Sequence, residues 1–435
     1  MSDTALEDDQ TRQETPPMRR TVAGACIGTV IEYFDYGSYG YLAATLAVVF
    51  FPGGDPALAT IQTWAIFALS FIMRPLGGLF WGHFGDRIGR TRTLSMTILA
   101  MGVSTAVVGL LPGYSVIGIW APILLLLARM CQSFCAAGEY SGAAVLLGEH
   151  APPARRARYV SFIPIGNAAG LLIASLLTTG LYSMLGTEAV QSWGWRIPFL
   201  LGVPLTLIGW YIRRKIDETP DFLELQGDDA RSEAPVLAGL REHWKTMLRL
   251  VCVMGVNAGA YYLVLSYMAS YIEQEVHLSS FYSSLIVTIG LVLYLPALYL
   301  CASLADKVGR KPVLIANSIL FLTLSYPAFL LLGQNGFVTA LIVQILMTTM
   351  FALNDSTFAT FFIESFPAKV RFSGFAIPFN FGVALFGGTT PLLASWLIDR
   401  TGVATSPAFI VMAIAALCLG ALLLSPETSP ENKSR

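Results

Sequence analysis

The run Gly82-His-Phe-Gly-Asp86-Arg87-Ile-Gly89-Arg90-Thr-Arg92 returns in shorter form as Ala305-Asp306-Lys307-Val-Gly309-Arg310-Lys311. The aspartates are 220 residues apart (306 − 86). Each copy is a polar island between two long apolar stretches, so each reads as a short loop joining two buried segments. A weaker echo pairs Glu218-Thr219-Pro220 with Glu427-Thr428, which follows Pro426. A chain that repeats itself at this distance is built from two similar halves, and a duplicated membrane chain places its binding site between them near the midplane.

The apolar stretches are membrane spans. Hydrophobic residues make up 55% of the 435-residue chain and charged residues only 13%, roughly half the share of a soluble domain. Mean hydropathy is +0.63. Residues 93–128, 159–187, 250–272, 278–305, 312–354, 372–398 and 401–426 contain no Asp, Glu, Lys or Arg. A helix needs about 20 apolar residues to cross the hydrocarbon. Turn signals at Leu111-Pro112-Gly113-Tyr114 and Gly333-Gln334-Asn335-Gly336 divide the two longest. With interrupted runs near 21–50, 57–81, 116–148 and 195–212, the count is about twelve. The fold class predicted is an all-α membrane protein of two six-helix halves. Residues 1–20 form a tail, 21–212 the first half, 213–248 a polar central loop, 249–426 the second half and 427–435 a second tail.

Charge placement supports this count. Threaded through twelve spans, all 27 Lys and Arg except Arg74, Arg129, Arg196 and Arg400 fall on one side. An excess of Lys and Arg marks cytoplasmic loops, which predicts a multi-pass protein of the bacterial inner membrane with both termini cytoplasmic. The first apolar run is too long for the core of a cleavable signal. Cys26, Cys131, Cys135, Cys252, Cys301 and Cys418 all lie in apolar surroundings and read as small membrane hydrophobes. Four scattered histidines suggest no metal ligand cluster, no cofactor is called for, and the near-neutral net charge points to no nucleic-acid partner.

The loop pattern Gly-x3-Asp-Arg-x-Gly-Arg resembles the signature of the major facilitator superfamily. Glu32-Tyr-Phe-Asp35-Tyr-Gly37, Arg74-Pro-Leu-Gly-Gly78, Gly138-Glu139-Tyr140 and Trp193-Gly-Trp-Arg196-Ile-Pro198 are similar to the metabolite:H+ symporters within it. Ile117-Gly-Ile-Trp-Ala-Pro122, Tyr261-Tyr262, Ser266-Tyr-Met-Ala-Ser-Tyr271 and Thr389-Thr-Pro-Leu-Leu-Ala394 resemble its proline/glycine-betaine branch. The resemblance runs from about Thr21 to Thr428. Thr91 stands where a basic residue is common, and Ala302 replaces the leading glycine of the second loop copy. The long C-terminal coiled coil of some relatives has no counterpart before Arg435. The resemblance implies proton-coupled import of a small zwitterionic osmolyte such as proline or glycine betaine, by alternating access.

Few ionisable groups lie inside the spans: Glu32, Asp35, Arg74, Arg129, Glu139 and Asp355. Each costs several kcal/mol in hydrocarbon unless it meets a partner or a wet cavity. Glu32 and Asp35 share a helix face, and depth along the spans brings Arg74 beside them. With Glu139 ten residues from Arg129, the N-terminal groups are expected to form one buried network. Glu32, Asp35 and Glu139 are the candidate proton carriers, because a carboxyl away from water and close to an arginine can trade its proton for a partner. Neutralisation that merely locks helices explains the same pairs.

Candidate substrate contacts are Arg74, Arg129, Tyr36, Tyr39, Tyr140, Asn257, Tyr261, Tyr262, Asp355 and Asn380. Arginine suits a carboxylate, and aromatic faces attract a quaternary ammonium. The bland reading of the aromatics and asparagines is helix packing. The loop residues Gly82, Asp86, Arg87, Gly89, Arg90 and Arg92, with Glu149, Asp306, Gly309 and Arg310, are expected to gate: Asp86 capping a neighbouring helix and Arg90 reaching Glu149.

Competing functions are symport of a carboxylate such as 2-oxoglutarate, citrate or shikimate, drug export, and sensing without transport. Export is disfavoured because Ala168-Ala-Gly-Leu-Leu-Ile lacks the proline that antiporters of this superfamily usually carry there. No nucleophile–base pair, metal cluster or phosphate loop suggests an enzyme. The expected partners are a small solute, protons and the bilayer, and a monomer suffices.

Overall fold

The computed structural model describes residues 18–52, 56–219, 221–223, 235–334 and 336–429. Arg12, Arg231, Lys433 and Arg435, placed above on the basic side, lie outside the described residues. All regular structure among the described residues is helical. Lipid offers no hydrogen bonds to the backbone, so a spanning segment must satisfy its own amides.

Twelve spans follow one another. In the first half they are Met18–Tyr41 with Ala43–Phe50, Pro56–Ser70 with Met73–Ile88, Arg90–Leu110, Trp120–Ala136 with Glu139–His150, Arg156–Val160 with Phe162–Ala189, and Arg196–Arg213. In the second half, Pro235–Ala260 continues through the π-helical turn Tyr261–Tyr267 into Met268–Glu275. Then come Ser280–Val308, Arg310–Leu332, Phe337–Asp355 with Phe358–Glu364, Arg371–Gly382 with Thr389–Thr401, and Ser406–Leu423. The helix of span seven thus starts inside the polar segment 213–248.

Ten stretches are long and apolar enough to cross a membrane unaided. Spans one and six are not among them: Glu32 and Asp35 interrupt the first, and the sixth is 18 residues with arginine at each end. Both are held by the bundle. Leu76, Val103, Leu176, Leu300, Ile342 and Leu392 are among the large apolar side chains left exposed around the outside, where hydrocarbon would cover them.

The halves meet symmetrically. Span two packs on span eleven, and span five on span eight. Gly82 brings the first pair together: a Cβ there would lie 3.0 Å from the Cα of Ser373. Gly89 and Gly309 turn the chain between spans at φ 110°, a conformation that other residues rarely adopt.

Candidate functional site

Apart from the ion pairs of the repeated loop, three buried arginine–carboxylate pairs occupy the N-terminal half. Glu32 and Tyr36 are one turn apart on span one, facing the point where span two breaks between Ser70 and Met73. Arg74, just past that break, donates from Nη2 to Glu32 Oε1 at 2.9 Å and to the Tyr36 hydroxyl at 2.6 Å. Its guanidinium lies 5.4 Å from the Tyr36 ring and 5.3 Å from Phe71. Among the described residues Glu32 Oε2 and Arg74 Nε have no hydrogen-bond partner.

Arg129 donates to Asp35 Oδ2 at 2.9 Å, and Gln132 Nε2 donates to Oδ1 at 2.9 Å and to Thr105 at 2.8 Å. The Arg129 guanidinium is 4.5 Å from Tyr39, 5.4 Å from Tyr36 and 5.5 Å from Phe67. The faces of Tyr36 and Tyr39 therefore already hold the protein's own cations.

Glu139 pairs with Arg213 of span six rather than with Arg129. Ten residues of helix separate Arg129 from Glu139 by about 15 Å, too far for one side chain to bridge. Arg213 also donates to the carbonyls of Gly24 at 2.9 Å and Leu94 at 2.8 Å, and Thr97 donates to Glu139 at 3.1 Å. Gly28 leaves room for the pair: a Cβ there would strike Glu139 and Arg213. Sequence reading put Arg213 in the central loop. Its signal was the small-residue face Gly202, Thr206, Gly209, which the arginine continues. Instead of one network, the half contains separate pairs, the first two touching through Tyr36.

Between the halves lies a cavity of about 20 Å³, room for a single water-sized molecule. The N-terminal half lines it with Tyr33, Arg74, Tyr140 and Asn167. The C-terminal half lines it with Asn257, Tyr261, Tyr262 and Asp355, along with Met254, Phe379 and others. Of these, Met254 and Phe379 carry no polar signal that sequence reading could have used. Arg129, Tyr36, Tyr39 and Asn380 do not line it. Asn380 instead donates at 2.8 Å to the carbonyl of Ala137, across the halves. Tyr140 stacks on Phe379 with ring centroids 4.7 Å apart. Asp355 accepts from Asn257 Nδ2 at 2.8 Å and from the Tyr294 hydroxyl at 2.5 Å. Tyr294 and Gln132 are partners that sequence reading passed over, since neither carries charge.

Beside the repeated loops the halves are cross-linked twice, in matching fashion. The Asp86 carboxylate accepts from the amides of Phe372 at 3.0 Å and Ser373 at 2.8 Å, and from the Ser373 hydroxyl at 2.5 Å. It therefore caps the N-terminus of Arg371–Gly382 in the other half. Asp306 returns the contact, accepting from the amides of Ala157 at 3.0 Å and Arg158 at 3.1 Å. Arg90 lies 3.5 Å from Asp86 and 3.3 Å from Glu149; Arg310 lies 3.3 Å from Asp306 and 3.1 Å from Glu364. Glu149 then reaches Arg371 at 2.9 Å, and Glu364 reaches Arg156 at 3.4 Å, each across the halves. Glu218 receives the amide of Arg90 at 2.9 Å, as Glu427 receives that of Arg310 at 3.1 Å. Arg87 and Arg92 are exposed. Three arginines counted with the loops are fully buried: Arg90 and Arg310 within these cross-links, and Arg213 against Glu139.

A family model described as Major Facilitator Superfamily matches residues 25–379 and 250–435. The glycine betaine/proline/ectoine/pipecolic acid transporter OusA of Dickeya dadantii is 37% identical over 437 residues, 97% of this chain and 86% of that relative. The proline/betaine transporter of Salmonella typhimurium is 37% identical over 416 residues, 92% of this chain and 82% of its own. Among solved structures, the proton:xylose symporter XylE bound to 6-bromo-6-deoxy-D-glucose aligns with a TM-score of 0.76 at 18% identity, over 95% of this chain and 96% of its own. The Escherichia coli fucose:proton symporter FucP aligns at 0.67 and 13% identity, over 93% and 98%. At such identities the solved structures speak for the fold alone.

Proposed function

The chain belongs to the major facilitator superfamily and is a membrane transporter rather than an enzyme; on that premise we propose that it imports a small zwitterionic osmolyte, such as proline or glycine betaine, together with protons. The observation that carries this reading is the state of Arg74. It stands in the wall of the cavity between the halves, donating to one oxygen of Glu32 and to the Tyr36 hydroxyl, while among the described residues the other Glu32 oxygen and its own Nε have no hydrogen-bond partner. A solute carboxylate is a natural second ligand for that guanidinium. Glu32 and the solute then compete for one cation, and a proton on Glu32 removes its charge and frees Arg74 for the solute. Among the three acids, Glu139 is tied to Arg213 and Asp35 to Arg129 and Gln132 with both oxygens occupied. Glu32 is therefore the proton carrier in this proposal, with the other two pairs holding helices together.

The cavity as it stands admits no osmolyte, so transport requires the halves to part. The cross-links at Asp86 and Asp306 close the side bearing the repeated loops, and their release opens it. We place that side, with both termini, in the cytoplasm of a bacterial cell, since it carries the lysine and arginine excess. The name-based support comes from relatives such as OusA. A monomer in the bilayer suffices, with solute and protons as partners.

The test is uptake of labelled glycine betaine and proline into proteoliposomes, with and without an inward proton gradient. Accumulation that a protonophore collapses is expected. Glu32→Gln is expected to lose gradient-driven accumulation and keep exchange of internal for external solute. Uptake of dicarboxylates, citrate or shikimate in place of both osmolytes would replace this substrate class.

A further inference from the structure

A buried carboxylate without a basic partner is rare in hydrocarbon, because a charge there needs a cation or water to offset its lost hydration. Asp355 is such a group. It is 4% exposed, lies in the cavity wall, and among the described residues receives the two neutral donors Asn257 and Tyr294 alone. Among the described residues no arginine, lysine or histidine pairs with it. Glu32, Asp35 and Glu139, at comparable burial, each have an arginine.

Its place in the fold is as telling as its partners. The offset that relates Glu149 to Glu364 (364 − 149 = 215) sets Asp355 opposite Tyr140. Both sit beside the break in the fourth span of their half, and both line the cavity. One half thus presents a phenol at this position and the other a carboxylate. The Tyr140 and Tyr261 hydroxyls and the Asn167 side-chain oxygen in the same wall are buried with no hydrogen-bond partner among the described residues. Wall atoms left in this state await a polar occupant. Arg74 faces the cavity from the N-terminal half, so the space has a basic pole and an acidic pole on opposite sides.

We propose that Asp355 selects a positively charged nitrogen on the transported solute; this rests on the reading of the cavity as the solute site. The two neutral donors hold the carboxylate in place and leave its negative charge unmatched until the solute supplies the cation. A solute with a carboxylate and no cation meets Arg74 favourably and Asp355 unfavourably, so the group acts as a filter against simple carboxylates. A quaternary ammonium needs no hydrogen bond to be attracted, which suits a site whose oxygens already accept one donor each.

The discriminating probe is 3,3-dimethylbutanoate, which matches glycine betaine in shape with carbon in place of the charged nitrogen. Competition by each compound against labelled betaine or proline uptake measures the preference for charge. Wild-type protein is expected to favour betaine over the carbon analogue by about tenfold or more, a ratio worth about 1.4 kcal/mol. Asp355→Asn should bring the two within about threefold, chiefly by weakening betaine, while Asp355→Glu should keep much of the preference. Should Asp355→Asn abolish uptake, thermal stabilisation of the purified variant by each compound gives the same ratio.

Three results would overturn the proposal. One is a wild-type protein that accepts the analogue as well as betaine, which leaves transport and the parent reading standing. A second is Asp355→Asn that keeps full preference. A third is Asp355→Asn that keeps preference and exchange but loses accumulation, which would make it a proton carrier. Wild-type protein that takes up neither betaine nor proline fails the parent reading, and this proposal with it.

Discussion

In the N-terminal half Glu32, Asp35 and Glu139 each meet an arginine in the membrane core; in the C-terminal half Asp355 meets an amide and a phenol. At the loop-bearing end the same halves are nearly copies, with Asp86, Arg90 and Glu149 answered by Asp306, Arg310 and Glu364. Duplication has thus been retained where the halves grip one another and lost at the cavity between them.

The largest effect that tests this contrast is on stability. Arg213→Ala leaves Glu139 buried without a counter-charge and should cost about 3–5 kcal/mol, read as a sharp drop in melting temperature and folded yield. Adding Glu139→Gln should recover most of it. Asp355→Asn, which strands no opposite charge, should change stability by no more than about 1–2 kcal/mol. A loss from Asp355→Asn as large as that from Arg213→Ala would mean that the C-terminal acid holds helices too, and the contrast would fail.

A middle effect concerns the two caps. Asp86→Asn and Asp306→Asn each remove a charge from a helix N-terminus in the opposite half, worth about 1–2 kcal/mol. Each should raise the population opened at the loop-bearing side, by about tenfold for 1.4 kcal/mol. Alkylation of Ala258→Cys, at a residue lining the cavity, in a variant without the six native cysteines and in inside-out vesicles, measures it. Asp86→Asn should act more strongly, because Ser373 gives Asp86 a third donor through its hydroxyl. Equal effects would show that the helix dipoles outweigh that bond.

The smallest effect compares two phenols. Tyr36→Phe removes one of the acceptors of Arg74, and Tyr294→Phe one of the donors to Asp355. Each should change the apparent affinity for solute by a few fold, about 1 kcal/mol. Tyr294→Phe should narrow the preference for betaine over its carbon analogue, whereas Tyr36→Phe should leave that ratio unchanged.

Much of this was legible before any coordinates. The apolar runs, the repeated loop and the side-to-side bias of Lys and Arg led to twelve spans in two halves, because lipid imposes helix length and exclusion of charge on local sequence. The pairing of Asp35 with Arg129 was not legible: three acids and two arginines allow several matches, and span rotation chooses among them. Arg213 was misplaced for a related reason. Sequence reading treats an arginine beside an apolar run as loop, and only packing against Gly24, Leu94 and Glu139 shows that the last turn of span six turns it inward.

The aromatic residues teach the same lesson. Tyr36 and Tyr39 looked like Tyr33 from their positions along span one, yet their rings are covered by Arg74 and Arg129 while Tyr33 faces the cavity. A difference of a few residues on one helix is a rotation of the side chain, and neighbouring helices decide what each rotation faces. Sequence by itself determined that this chain crosses a membrane about twelve times in two related halves: hydrocarbon acts separately on ten of the segments, and the repeat and the bias of Lys and Arg place the other two. Only the tertiary structure decided which acids are paired and that Asp355 is not, because a buried charge is answered by whatever side chain packing brings within about 4 Å of it.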